Sequence, residues 1–168
     1  MDPGGEGVEE RADGRPMTQM SLWADDLSQT GIERALIVRE PWAGMIAAGA
    51  KRWEIRGTAT AVRGTIAIAA AGTGTIVGVC NLCDVRGPLT GGAYADAWPL
   101  WGARERPRGA MPYPRTYAWV VTDARPIRPP LSYRHPGGAV VWVRLGKDVQ
   151  ERLAAALQEP AESESAAW

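Results

Sequence analysis

Residues 34–57 read RALIVREPWAGMIAAGAKRWEIRG, and this stretch decides how the rest of the chain is interpreted. Ala35 to Val38 is a short apolar run of β type. Pro41 to Ala48 reads as a helix, because proline suits the first helical position, where its missing N–H would have had no partner. Trp42, Met45 and Ile46 recur at spacings of three and four, which predicts one shared helix face. Gly49 ends the helix, since glycine takes the left-handed cap conformation without a Cβ penalty. Lys51 to Arg56 then resumes as a strand, with Trp53 and Ile55 on one face and Arg52, Glu54 and Arg56 on the other. The segment therefore gathers a Lys, a Glu and an Arg beside a buried helix.

Outward from this stretch, the 168 residues suffice for one domain with a real core and two tails. No apolar run approaches the roughly 18 to 20 residues of a membrane-spanning helix. The acidic, Gly-rich N-terminus lacks the pattern of a secretory signal, and two cysteines fit a reducing compartment. A cytoplasmic protein without membrane association is expected. The preference for Arg over Lys, with abundant Ala and Gly and no Phe, suggests a GC-rich, bacterial genome.

The formal net charge of zero is segregated. Residues 1–31 sum to −5 and residues 159–168 to −3, so residues 32–158 carry +8. A basic globular part between acidic ends points to an anionic partner such as a nucleic acid, or else to tails that serve solubility alone. Residues 1–31 read as a disordered acidic tail, with Met17 and Met20 as alternative starts and Leu22 and Trp23 able to dock on the domain. Residues 32–146 form the domain, and residues 147–168 a C-terminal helix and acidic tail.

Within the domain, Gly57 to Val62 is a polar loop and Thr65 to Ala71 a strand. Gly72 to Gly74 is a hairpin turn. Thr75 to Val85 is the longest β run, and Gly78 inside it marks a bulge or a close approach of another group. Cys80 and Cys83 fall in this run, where positions i and i+3 face opposite ways, so packing is favoured over metal or redox use. Thr90 caps a short helix carrying Tyr94 and Trp98. Residues 99–116 place Arg104, Arg106, Arg108 and Arg115 among Trp101 and Tyr113, a mixture that suits a nucleic-acid strand or a loop covering the core edge. Tyr117 to Thr122 is a strand, Asp123 to Pro130 a proline-broken edge or corner, and Ala139 to Leu145 another strand. Lys147 to Leu157 is an amphipathic helix through Val149, Leu153 and Leu157, stopped by Pro160. Five or more strands with one early and one C-terminal helix give an α+β fold built on a small β-barrel or strongly curved sheet.

Glu40-Pro41-Trp42-Ala43, then Gly49-x-Lys51-x-x-Glu54-x-Arg56, then Arg63-Gly64 and an isoleucine-rich strand, resemble the ASCH domain, a member of the PUA-like superfamily. The resemblance spans roughly residues 33–145, with Val77 to Asp84 similar to the central strand and Tyr117 to Val143 similar to the closing strands. It implies a PUA-like barrel and two kinds of function: RNA or DNA binding, or enzymatic action as an amidohydrolase of N4-acetylcytidine or as a ribonuclease. The amidohydrolase pattern implies a Lys, a Thr and a Glu. Lys51 matches the Lys, but Glu54 stands where the Thr would be.

Three roles compete for Lys51, Glu54 and Arg56. They are an ion-pair network orienting the helix; a binding site in which Lys51 and Arg56 contact phosphate or base and Glu54 holds them; and catalysis, with Lys51 as base and Glu54 as proton shuttle. Trp42, Arg63, Arg115 and Tyr117 complete the candidate binding set, Arg63 by closing the pocket from its loop and Tyr117 by stacking on a base. Trp119 is a better core residue, and His135 a surface residue. The expected partner is RNA or a nucleotide-like ligand, with no metal and no cofactor implied.

Overall fold

The computed structural model describes residues 31–158. The expectations for residues 1–30, including Leu22 and Trp23, and for Pro160 lie outside these residues. The elements in chain order are β1 (Arg34–Val38), α1 (Trp42–Ala47), β2 (Trp53–Arg56), β3 (Gly64–Ala70), β4 (Thr75–Arg86), α2 (Gly91–Asp96), β5 (Tyr117–Ser132), β6 (Trp142–Arg144) and α3 (Lys147–Gln158). The fold is α+β, as expected from the element pattern.

The strands form one six-stranded sheet in the order β2-β5-β4-β3-β1-β6. Only β1 and β3 pair in parallel, which the intervening α1 and β2 allow. The sheet is curled into a half-barrel. Trp119 of β5 and Trp142 of β6 lie four positions apart in the strand order, yet their rings stack with centroids 5.7 Å apart. Arg56 of β2 also donates from Nη2 to the Ile37 carbonyl of β1, at 2.7 Å. Both contacts require the two margins of the sheet to approach each other.

Two apolar clusters hold the fold. One joins Leu36, Ile46, Ile66, Ile68, Leu82, Trp119 and Val121, with α1 packed on it. The other joins Ala35, Ile76, Val79, Val143 and Ile127 to Val149, Leu153 and Leu157 of α3, the stripe the sequence predicts. Adjacent residues of β1 and β3 alternate between the clusters, as the two-residue period of a strand requires.

Four sequence expectations are corrected. The buried face of α1 is Ala43, Ile46 and Ala47, whereas Trp42 is 38% exposed. Two overlapping sets of i, i+3, i+4 spacing exist in this helix, and the sheet selects the smaller one. An added Cβ at Gly78 would lie 2.6 Å from Ala47 Cβ and 2.7 Å from the Arg125 carbonyl oxygen, so α1 rests directly on the β4 backbone. Pro41 is the N-cap rather than the first helical residue. Glu40 supplies the missing acceptor, its Oε2 taking the Gly44 N–H at 3.0 Å.

The longest strand is β5, not the 75–85 run, and it carries Pro126, Pro129 and Pro130. It tolerates them because β2 pairs only with Tyr117–Val120, leaving the far half of β5 with a ladder on one side. Residues 127–130 bulge between the Ile76–Leu131 and Gly78–Pro126 pairs. Finally, the expected 139–145 strand shrinks to Trp142–Arg144, with Val140 76% exposed at the sheet margin and Val141 also exposed.

Three other local expectations hold. Gly49 has φ +78°. Thr90 accepts the Ala93 N–H at its Oγ1, capping α2. Cys80 is buried and Cys83 exposed. Burial pushes the Cys80 thiol up to about 12, which suits a packing residue. Among the described residues no group of acidic, Cys and His side chains has a metal-binding arrangement, and no helix is long and apolar enough to cross a membrane.

Replacing Gly78 tests the packing of α1. Gly78→Ala places a methyl group against backbone and Ala47, and is expected to cost about 1–3 kcal/mol of stability, the range for overpacking a filled core. Urea unfolding followed by tryptophan fluorescence reads it directly.

Candidate functional site

The site begins with the turn after α1. Gly49 lets the chain reverse, and the N–H groups of Ala50 and Lys51 both donate to the Met45 carbonyl. This brings Lys51 round to the side of β2 on which Glu54 and Arg56 stand. Lys51 Nζ lies 3.0 Å from Glu54 Oε2 and donates to the Trp53 carbonyl at 2.6 Å. Arg56 Nε donates to Glu54 Oε1 at 3.0 Å, while Arg56 Nη2 reaches Ile37. One carboxylate thus joins two cations, and one of those cations joins two sheet margins.

The network is almost dry: Lys51 is 3% exposed and Glu54 8%. Burial lowers the proton affinity of Lys51, and Arg56 adds to this, against the opposing pull of Glu54. The Arg56 guanidinium carbon sits 5.6 Å from the Trp119 ring centroid and Lys51 Nζ 5.8 Å from that of Trp42, within cation–π range.

Above the network lies an open cleft of about 560 Å³. Its floor is Lys51, Glu54 and Arg56 with Ile37 and Val38; Arg39 and Trp42 stand on one wall. The segment between β4 and β5 supplies another wall through Tyr94, Trp101 and Tyr113, and Val140 forms part of the rim. That segment is docked firmly. The Leu100 carbonyl accepts the N–H groups of Arg52 and Trp53, at 2.7 and 2.9 Å. Tyr94 and Trp101 stack 4.7 Å apart, and Trp101 Nε1 donates to the Tyr94 carbonyl. Gly102, at φ +85°, lies against Met45, Trp42 and the Lys51 stem, so this segment helps to seal Lys51. Tyr113 packs on Gly57, where an added Cβ would come within 3.0 Å of its ring.

Of the residues singled out from sequence, Trp42, Lys51, Glu54 and Arg56 come together in the cleft. Arg63, Arg115 and Tyr117 do not line it. Arg63 donates to the carbonyls of Thr60 and Val62 in its own loop. Tyr117 is buried in the core, and Arg115 lies over its ring at 5.8 Å. Arg39, Tyr94 and Val140 were missed as site residues. Arg39 sits in the three-residue join between strand and helix, and the seven-residue spacing of Tyr94 and Trp101 has no meaning outside a helix.

The buried charges yield a prediction. Folding lowers the proton affinity of Lys51 below the usual 10.5, so the unfolded chain binds more protons than the native one between the lowered value and 10.5. The contribution of this group to stability therefore rises with pH through that window. Lys51 and Lys147 are the only lysines, so a ¹³Cε-lysine NMR titration can follow Lys51, whose signal should titrate below 10.5. Glu54→Gln, which leaves two cations without their carboxylate, should lower that value further and cost about 3–5 kcal/mol in urea unfolding.

A family model described as the ASCH domain matches residues 36–131. Among solved structures, the crystal structure of ASCH from Zymomonas mobilis is similar, with 17% identity and a TM-score of 0.53 over 74% of this chain and 94% of that one. A substituted variant of the same Z. mobilis protein gives 18% identity and a TM-score of 0.50 over 74% and 95%. These likenesses carry the fold. No curated protein matches the chain. With the matched segment running from β1 into β5, across the strands and helix that build the cleft, the chain belongs to the ASCH domain family, and its curled half-barrel is a PUA-like fold.

Proposed function

We propose that the cleft binds RNA or a nucleotide-like ligand. The observation that carries this reading is where exposed apolar surface occurs. Among the described residues four large hydrophobic side chains are exposed, and three of them, Trp42, Tyr113 and Val140, line this one cleft. Two of the three are aromatic, and the floor beneath them is cationic overall, with Lys51 and Arg56 against Glu54 and Arg39 in addition. Rings that stack on bases, beside cations that meet phosphates or base edges, are the components single-stranded nucleic acid requires. The +8 charge of residues 32–158 supplies the long-range attraction.

One observation favours a second reading, hydrolysis of a modified nucleoside or of RNA in the same cleft. A buried amine with lowered proton affinity, as at Lys51, is suited to take a proton from an attacking group. Among the described residues lining the cleft there is no Ser, Thr, Cys or His, and Glu54 is held between two cations. The residues therefore support binding better than attack by a side-chain hydroxyl.

Titration of tryptophan fluorescence with a short single-stranded RNA at two salt concentrations tests the first reading. Trp42 and Trp101 line the cleft and should report binding directly. Affinity is expected to fall steeply with salt. Trp42→Ala should weaken it by about tenfold, the worth of one stacked base, and Lys51→Ala by a similar factor if the variant keeps its circular dichroism. No binding at low salt would sink this reading. Release of acid from acylated nucleosides, lost in Lys51→Ala, would establish the second.

A further inference from the structure

We infer that the cleft reads guanine and discriminates against adenine. This deepens the binding reading above and rests on it. Among the described residues the free hydrogen-bonding groups at the floor and wall of the cleft are mostly donors.

Each acceptor there already holds one bond and keeps at most one lone pair per oxygen, so the free donors outnumber the free acceptors. Glu54 Oε1 takes Arg56 and Oε2 takes Lys51. The Ile37 carbonyl takes Arg56 Nη2, the Val38 carbonyl takes the Ala71 N–H, and the Arg39 carbonyl takes the Ala43 N–H. The donors are not used up. Lys51 has three N–H groups and two acceptors. Arg56 has five N–H groups and two bonds. The Arg39 guanidinium is exposed on the cleft wall and makes no hydrogen bond or ion pair with any described residue. The hydroxyls of Tyr94 and Tyr113 either donate or accept and so do not tip this balance.

A ligand edge that satisfies this floor must bring acceptors. Guanine offers N7 and O6 side by side, matching the fork of a guanidinium, whereas adenine replaces O6 with an amino donor. An amino group would face N–H groups across the cleft and leave donors on both sides unpaired, a source of strong discrimination. The volume of about 560 Å³ lies within the range of small-molecule sites and admits a purine nucleotide. Phosphate also presents acceptors only, so the source of the acceptor edge has to be distinguished experimentally.

Calorimetric titrations with GMP, AMP, UMP and CMP at one ionic strength, with inorganic phosphate as a separate competitor, make the distinction. GMP is expected to bind at least about fivefold tighter than AMP, the lower end of what one bidentate base contact gives. Arg39→Gln, at an exposed position, should shrink that ratio by weakening GMP more than AMP. Equal binding of GMP and AMP would overturn the inference and leave the nucleotide reading standing. So would inorganic phosphate that binds as tightly as GMP, since the acceptor would then be the phosphate. Binding of none of the four would remove the nucleotide reading itself and this inference with it.

Discussion

Glu54 is the constraint from which the rest of the site follows. Its carboxylate is nearly dry, and burying an ionised group without partners costs several kcal/mol. Lys51 and Arg56 meet that cost, one on each oxygen. Each of the two is in turn tied to backbone, Lys51 to Trp53 and Arg56 to Ile37. The second tie matters most for the architecture. β2 is a four-residue strand paired only with β5, and a strand this short has little hold of its own. Arg56 anchors it across the opening of the half-barrel to β1. The same three side chains therefore serve as fold-closing network and as floor of the cleft, and the structural and binding roles are not alternatives.

The second constraint is the thinness of the contact between α1 and the sheet. Ala43, Ala47 and Gly78 together allow helix and strand backbones to meet almost directly. With the small face inward, Trp42 must leave the core, and it goes to the cleft mouth beside Lys51. Close helix packing thus produces an exposed aromatic next to a buried cation. Gly102 completes the arrangement from the other side, since only a residue without a side chain can lie so near Met45 and Trp42 at a positive φ.

Much of this was legible in residues 34–57. The two-residue period placed Glu54 and Arg56 on one face, and the turn after Gly49 accounts for Lys51 joining them three residues away. The same period separated Cys80 from Cys83. Residues whose environment is set by distant parts of the chain were not legible. The direction of Trp42 depends on Gly78, thirty-six positions later. The prolines of β5 looked like a break because the shortness of β2, which leaves one side of β5 unpaired, is a tertiary fact. Val140 fits the alternation of a strand, but it falls at a margin where no neighbouring strand or helix covers it.

The network also bears on why binding is the better reading of the cleft. A lysine that acts as a base needs a lowered proton affinity, which burial supplies here, and it needs freedom to reach the reacting atom. Lys51 has the first, but its nitrogen is held by a carbonyl at 2.6 Å and a carboxylate at 3.0 Å. Both partners favour the protonated amine and fix its position. Moving Lys51 toward a substrate would strand Glu54 with one cation and loosen the group that orients Arg56. A fixed ammonium beside a fixed guanidinium carries little reorganisation cost when an acceptor arrives, which is the condition for selective recognition. The rigidity that closes the half-barrel thus restrains Lys51 as a base and, on the proposed reading, suits the cleft to a ligand.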